Sequence, residues 1–262
     1  LPANPAVVPV TQRLPDPSKK AGIPVARIGC AGWSIPAAYG GSFPADGSHL
    51  ERYARVFDAV EINSSFHRPH RPATYLRWAT SVPANFRFSV KMPRTISHEK
   101  RLVDCATELD RFLADLEYLG TSLGCLLLQL PPGLAFEMKT VTAFFLHLRK
   151  RHAGAIACEP RHPSWFAPAV ERVLADHAVA RVGADPPILP RAALPGGDRS
   201  IEYLRLHGSP RIYCDAYSPE LIEILHARMD RSSSFTRERW CIFDNTALGH
   251  ATANALALLA TR

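Results

Sequence analysis

Apolar runs of strand length recur along the chain, and nearly every one ends in a polar or charged residue. Val25–Cys30 stops in Gly29-Cys30-Ala31-Gly32-Trp33, and Phe57–Ile62 runs through Glu61 into Asn63-Ser64-Ser65-Phe66-His67. Over Phe86–Lys91 the residues Phe86, Phe88 and Val90 alternate with Arg87, Ser89 and Lys91, the period of two that marks a strand. Gly124–Leu130 is apolar but for Gln129 and is stopped by Pro131-Pro132. Ala153–Cys158 is small and apolar, as in a strand buried on both faces, and opens into Glu159-Pro160-Arg161-His162-Pro163-Ser164-Trp165. Three more runs follow: Ala178–Gly183 before Ala184-Asp185, Ile201–Leu206 before His207-Gly208, and Trp240–Phe243 before Asp244-Asn245.

Helical spacing fills the intervals. It predicts helices over Ser48–Val56, Ala73–Ser81, Glu108–Leu119, Val141–Lys150, Phe166–Asp176, Pro219–Met229 and Ala251–Ala260. Thr107 and Asp110 read as a capping pair, and Ser218-Pro219 as cap then proline. After Asp185 the chain is too rich in proline and glycine for a regular helix, so one crossover should be irregular. The result is eight strand–connection units with strand ends roughly 23 to 38 residues apart. A closed (β/α)8 barrel averages ~31 residues per unit, so an α/β protein of the TIM type is predicted, with residues 25–262 as one domain. An open doubly wound sheet is the competing layout, because periodicity does not report closure. Residues 1–24 carry six prolines with little periodicity and are expected to form a flexible or extended tail outside the fold.

In a barrel these strand ends meet on one rim, gathering Trp33, Glu61, Asn63, Lys91, Gln129, Glu159, Arg161, Asp185, Arg205, His207, Asp244 and Asn245. Burying so many charges without a ligand is costly, although a self-paired network (Glu61 with Lys91, Glu159 with Arg161) would lower that cost. Two chemistries fit. In one, Lys91, Arg161 and Arg205 grip a phosphate or carboxylate while Glu159, Glu61 or His207 moves a proton. Backbone donors at Gly208-Ser209 and around Asn245–Gly249 would assist the anion. In the other, Glu159, Asp185, His207 and Asp244 ligate Mg²⁺ or Mn²⁺, as in a metal-dependent sugar isomerase or nuclease. The spacing from Lys91 to His98 allows that imidazole to fold over the rim. Trp33, Phe66 and Trp165 offer rings for stacking. No dinucleotide fingerprint, phosphate loop, nucleophile elbow or HExxH is present.

Composition changes this picture little. The 262 residues are 47% hydrophobic, enough for a large core, and no apolar run is long enough for a membrane-spanning helix. A formal charge of +7 favours an anionic partner, yet the basic residues are scattered and form no stripe for nucleic acid, so a binding barrel for nucleic acid or protein is the weaker alternative. The six cysteines lack metal-like spacing and mostly sit in apolar runs, which fits free thiols and a reducing cytoplasm. The first residues lack the basic start and apolar block of a signal peptide; the chain begins at Leu1, which leaves room for a removed leader. Nothing here sets the oligomeric state.

Taken together, Gly29-Cys30-Ala31-Gly32-Trp33-Ser34, Val60-Glu61-Ile62-Asn63-Ser64-Ser65-Phe66 and Phe88-Ser89-Val90-Lys91 with Thr95 and His98 resemble the DUF72, or YecE-like, family. The likeness continues in Leu128-Gln129-Leu130-Pro131-Pro132, Glu159 through Trp165 with His162, and Tyr203-Leu204-Arg205-Leu206-His207-Gly208. It covers roughly residues 25–260 in collinear order and implies a TIM-type barrel, but no reaction. Two departures stand out: His67 where the family more often has tyrosine, and Phe243-Asp244-Asn245 in place of a more usual pair of asparagines.

Overall fold

Apolar residues on both faces of the predicted strands require cover on both sides, and the fold supplies it. The computed structural model describes residues 22–261, so most of the proline-rich stretch lies outside the described residues. Gly22 nonetheless bridges Ser233 and Pro24 is buried, so the folded part begins before Val25. The chain alternates strands and helices: β1 (Val25–Cys30), α1 (His49–Ala54), β2 (Ala59–Ile62), α2 (Pro72–Thr80), β3 (Arg87–Lys91), α3 (Ala106–Leu116), β4 (Leu123–Gln129), α4 (Met138–Arg151), β5 (Ala155–Glu159) and α5 (Pro168–Asp176). It continues with β6 (Val179–Arg181), β7 (Gly183–Asp185), β8 (Gly196–Gly197), β9 (Ile201–Leu206), α6 (Pro219–Met229), β10 (Glu238–Phe243) and α7 (His250–Ala260).

One sheet has the order β1-β10-β9-β7, all parallel; the other has β2-β3-β4-β5-β6 parallel, with the two-residue β8 antiparallel to β6. β6 and β7 are halves of one run broken at Val182, whose N–H donates to the Cys158 carbonyl. A parallel bridge from Ala31 to Glu61 and the bond from Gly32 N–H to the Glu61 carbonyl (2.9 Å) join the end of β1 to β2. Lower down, Tyr53 staples this same seam: its hydroxyl accepts from Cys30 N–H (2.8 Å) and donates to the Ala59 carbonyl (3.1 Å). A Cβ on Gly29 would lie 2.0 Å from the Ala59 oxygen, so the glycine is required by a neighbouring strand.

Alternate strand residues form two separate cores. Those facing the helices join the larger one; Ala59, Cys125, Leu127, Ala157, Ala180, Val182, Ile201, Tyr203, Trp240 and Ile242 form a second, interior cluster drawn from both sheets. Tyr203 and Trp240 stack there at 5.7 Å. Local chemistry explains the helix ends. Ser48 and Glu51 make a capping box for α1, and the Ser218 side chain accepts from Leu221 N–H ahead of Pro219. The predicted Thr107/Asp110 cap is not made. Helix α3 begins after Cys105 without a side-chain cap, and Asp110 pairs with His147 and Arg151. From Pro186 to Ser200 the crossover holds only the 3-10 turn Pro190–Ala193 and β8. Among the described residues no helix is long and apolar enough to cross a membrane. Cys30, Cys105, Cys125, Cys158, Cys214 and Cys241 are all free thiols.

Candidate functional site at the carboxyl ends of the strands

Residues two apart on a strand share a face, so Tyr203, Arg205 and His207 climb one side of the interior from β9 toward the rim. Arg205 is fully buried and organises what surrounds it. Its Nε and Nη2 donate to the two oxygens of Glu61 (2.9 and 2.6 Å), Nη1 donates to Glu159 (2.6 Å), and Nη2 also reaches Asp244 (2.9 Å). The Tyr203 hydroxyl lies 3.1 Å from Glu61 and 2.7 Å from Ser89 Oγ, one register row below. Four strands thus converge on one guanidinium: β2 brings Glu61, β5 Glu159, β9 Arg205 itself, and the end of β10 Asp244.

His207 sits on top of this hub, fully buried. Its Nδ1 is 3.0 Å from Asp244, and its Nε2 is 3.0 Å from Glu159 and 2.9 Å from Arg161 Nη2. Arg161 in turn is 2.5 Å from Glu159. Two protonation states are therefore fully bonded. Neutral His207 donates from Nδ1 to Asp244 and accepts from Arg161; charged His207 donates to both carboxylates.

Burial alone would lower the basicity of His207, but Glu159 and the bond to Asp244 raise it above an ordinary imidazole. For Glu159, burial pushes the carboxyl up, and Arg205 with His207 overcomes this and holds it well below the usual range. Asp244 is lowered in the same way, chiefly by Arg205 against its burial. The signs set a pH dependence. The raised His207 contributes stability below about 6.5 that is lost as pH rises through its folded value; the lowered Glu159 and Asp244 contribute stability above about 4.5 and 3.8 that is lost as pH falls. Urea midpoints across pH 4 to 9 are expected to peak between about 5 and 6.5; a midpoint rising steadily to pH 9 contradicts the His207 assignment.

Lys91 ends β3 on the same interior face, with 7% exposure, and its carbonyl is 2.6 Å from Ser65 Oγ. The expected pair with Glu61 is not made, since Arg205 takes both Glu61 oxygens. The ammonium stands 4.2 Å from the centre of the Phe66 ring, and no carboxylate of the described residues is within ion-pair distance. Burial first, then Arg205, depresses its basicity, against the pull of Glu61, Asp244 and Glu159. His98 packs edge-on to the same ring at 4.9 Å, and its basicity is lowered by burial and then by the Lys91 charge. Asn63 and Gln129 are half-buried at the ends of β2 and β4, Gln129 in register with Glu159. Trp33 is half-buried and packs edge-on against Trp78 at 4.9 Å.

Several expected roles are corrected. Arg205 is committed to three carboxylates, which take four of its five N–H groups and leave no fork for a further anion. Trp165 offers no stacking face: it is fully buried, donates to the Leu134 carbonyl (2.8 Å) and packs on Phe136. The Nδ1 of His162 is used locally, 2.8 Å from Ser164 Oγ while it accepts from Ser164 N–H. The Gly208 N–H, expected to face a phosphate, donates to the Tyr217 hydroxyl (2.7 Å); with φ at +96° and its Cβ position 3.0 Å from Asn245 Cβ, Gly208 serves the turn. Asn245 is an internal pin, donating to the Asp215 carbonyl and to Asn254 (both 2.9 Å). Asp185 is in register with Leu206, out of phase with Arg205 and His207. The metal set Glu159, Asp185, His207 and Asp244 is therefore not assembled: Arg205 is bonded to two of them, Glu159 and Asp244, Asp185 stands apart, and no three His, Cys, Asp or Glu side chains of the described residues are disposed to hold a metal.

Sequence reasoning missed Tyr203, Ser89 and Tyr213. The first two were legible from alternation below Arg205 and Lys91. Tyr213 carries no such signal. It lies in the loop after β9 with φ at +67°, donates its N–H to the His207 carbonyl (2.5 Å) and sets its ring 5.8 Å from the imidazole.

The chain matches the family described as Protein of unknown function DUF72 across residues 27–261. Among curated proteins it is similar to UPF0759 protein YecE of Escherichia coli K12, 32% identical over 142 residues, 53% of this chain and 51% of that protein. It is also similar to UPF0759 protein YunF of Bacillus subtilis 168, 30% identical over 149 residues, 54% of this chain and 52% of that protein. The aligned part thus spans about half the length of these relatives. Among solved structures, a DUF72 family protein from Enterococcus faecalis superposes with a TM-score of 0.74 at 22% identity, covering 90% of this chain and 94% of that one. Another from Thermotoga maritima gives 0.72 at 24% identity, covering 90% and 98%. At these identities the structural likeness establishes the fold, an α/β arrangement of parallel strands alternating with helices. By its sequence match from residue 27 to residue 261, the chain belongs to the DUF72 family.

Proposed function

We propose that the two sheets close into one eight-stranded (β/α)8 ring and that its carboxyl mouth is the active site of an enzyme acting on a small anionic, hydroxyl-rich molecule by acid–base chemistry. The Ala31–Glu61 seam, the run broken at Val182 and the interior cluster shared by both sheets support closure. One observation carries the anionic reading. The carboxylates of the network are spent on Arg205, Arg161 and His207, whereas cationic donors are left over: among the described residues the Lys91 ammonium has no carboxylate partner and the buried Arg161 Nε–H has no acceptor.

Charge balance points the same way. Glu61, Glu159 and Asp244 are offset by Arg161, Arg205 and Lys91, so a protonated His207 leaves the network one positive charge that a guest anion would neutralise. Arg161 bonds Glu159 and His207 while its Nε faces no protein acceptor, which suits a contact between anion and proton carrier. His207, with two fully bonded states, is the proton store, and Glu159 is the group that exchanges with it. Glu61 positions Arg205.

Titration calorimetry with inorganic phosphate is the first test. Hydrogen bonds to charged groups contribute about 1.5–3 kcal/mol each, so Lys91→Met and Arg161→Met should each weaken phosphate by roughly 10- to 100-fold. Phosphate that does not bind, or binds both variants as tightly as the parent, overturns the reading.

A further inference from the structure

An amine without a counter-ion in a mostly buried mouth has a use besides holding charge. We infer that Lys91 is a nucleophile that forms a Schiff base with the carbonyl carbon of the substrate, which makes the substrate an aldehyde or ketone carrying an anionic group. This deepens the proposed function and rests on it, since the anion must be seated by Arg161 for the carbonyl to reach Lys91.

The geometry suits an ammonium that can give up its proton to become the attacking amine once the anion is seated, because no ion pair among the described residues holds the charge in place. Other buried cations of the fold are held by partners: Arg205 by three carboxylates, Arg181 by Glu171, Arg27 and Arg239 by Glu238 and Glu202. Lys91 is buried to a similar degree, but its ammonium lies over the Phe66 ring and no carboxylate of the described residues is within ion-pair distance. A ring face stabilises an ammonium modestly and leaves no bond to break when the nitrogen turns toward a carbonyl. The chain is fixed from behind by the contact of its carbonyl with Ser65 Oγ, and Ser65 is itself fully buried. Desolvation and the neighbouring Arg205 favour the free amine, the form that attacks. Cysteine is a poorer candidate: Cys30, Cys125, Cys158 and Cys241 are buried and burial pushes their thiols up, Cys30 to about 12.

A proton carrier packs on the same ring. His98 shares the Phe66 ring with Lys91, and its Nδ1 is 2.9 Å from Ser97 Oγ, which in turn donates to the Pro93 carbonyl. With the serine proton so committed, His98 Nδ1–H donates to Ser97 and Nε2 holds a lone pair. In the reaction the Nζ lone pair forms the C–N bond and the carbonyl π pair moves to oxygen. His98 takes one proton from Nζ and passes it to that oxygen. A second proton, drawn from solvent through His98, lets the C–O bond break and water leave, and the nitrogen keeps one hydrogen in the iminium. The iminium draws electrons from the adjacent carbon, whose proton is then acidic; hydrolysis by the reverse path frees Lys91. The carbonyl group therefore enters and leaves without any redox change.

The full chain is incubated with dihydroxyacetone phosphate or pyruvate and sodium cyanoborohydride at pH 7, and the adducts are mapped by peptide mass. A lowered basicity leaves more of the amine free at this pH, so the Lys91 peptide should label faster than any other lysine peptide. Inorganic phosphate should suppress that labelling. A label spread evenly over the lysines, or absent from Lys91, overturns the Schiff base. The two ideas separate cleanly. Phosphate binding without Lys91 labelling removes the nucleophile and spares the anion site, whereas Lys91 labelling that phosphate does not suppress removes the anionic reading on which this one rests. Because the label is read on the parent chain, no variant needs to fold.

Discussion

Arg205→Met should destabilise the protein by about 3–5 kcal/mol, the cost of leaving buried charges without their partner. Arg205 is the shared cation of Glu61, Glu159 and Asp244, and Glu61 and Glu159 have almost no contact with water. Removing the guanidinium strands three carboxylates in the interior, where desolvation drives them to take up protons. Two of them also hold His207, so its proton affinity should change with the loss. Urea denaturation at pH 7 gives the magnitude, and repeating it at pH 5, where the stranded carboxylates are more readily protonated, should narrow the gap. A loss below about 1 kcal/mol, or a gap that does not depend on pH, would mean that the network is not organised around this side chain.

The second large effect should come from a residue outside the network. Trp165→Ala is expected to cost about 3–5 kcal/mol, the usual range for deleting a buried indole, while phosphate affinity stays within about twofold of the parent. Trp165 is fully buried, hydrogen-bonded to Leu134 and packed on Phe136, and it belongs to the core between sheet and helices. Affinity lost without a loss of stability would return Trp165 to the ligand site and contradict its assignment to the core.

The contrast between these two residues shows what the sequence could carry. Strand ends were legible because an apolar run that stops at Glu61, Lys91, Glu159 or Arg205 is a local pattern, and the parallel fold puts these ends on one side. Partner choice was not legible. Glu61 was expected to meet Lys91, two residues beyond its register partner Ser89 on β3, but a lysine carries one point charge while the guanidinium presents a planar fork that satisfies both Glu61 oxygens. Arg205 therefore won the carboxylates and Lys91 was left without one. The aromatic residues misled for a related reason: Trp165 follows Glu159, Arg161 and His162 in sequence, yet the 3-10 turn Pro163–Phe166 swings it back into the core. Tyr213 could not be found at all, because a loop residue held at positive φ leaves no periodic trace.

Occupancy of the mouth by an anion tests the central claim most directly. Crystals soaked in sodium selenate give an anomalous difference map in which the selenium atom marks the oxyanion without ambiguity. The expected result is a peak at the mouth within hydrogen-bonding reach of Lys91 Nζ and Arg161 Nε, removed by Lys91→Met. A map with no peak there, in crystals where selenate occupies other basic surfaces, would contradict the account.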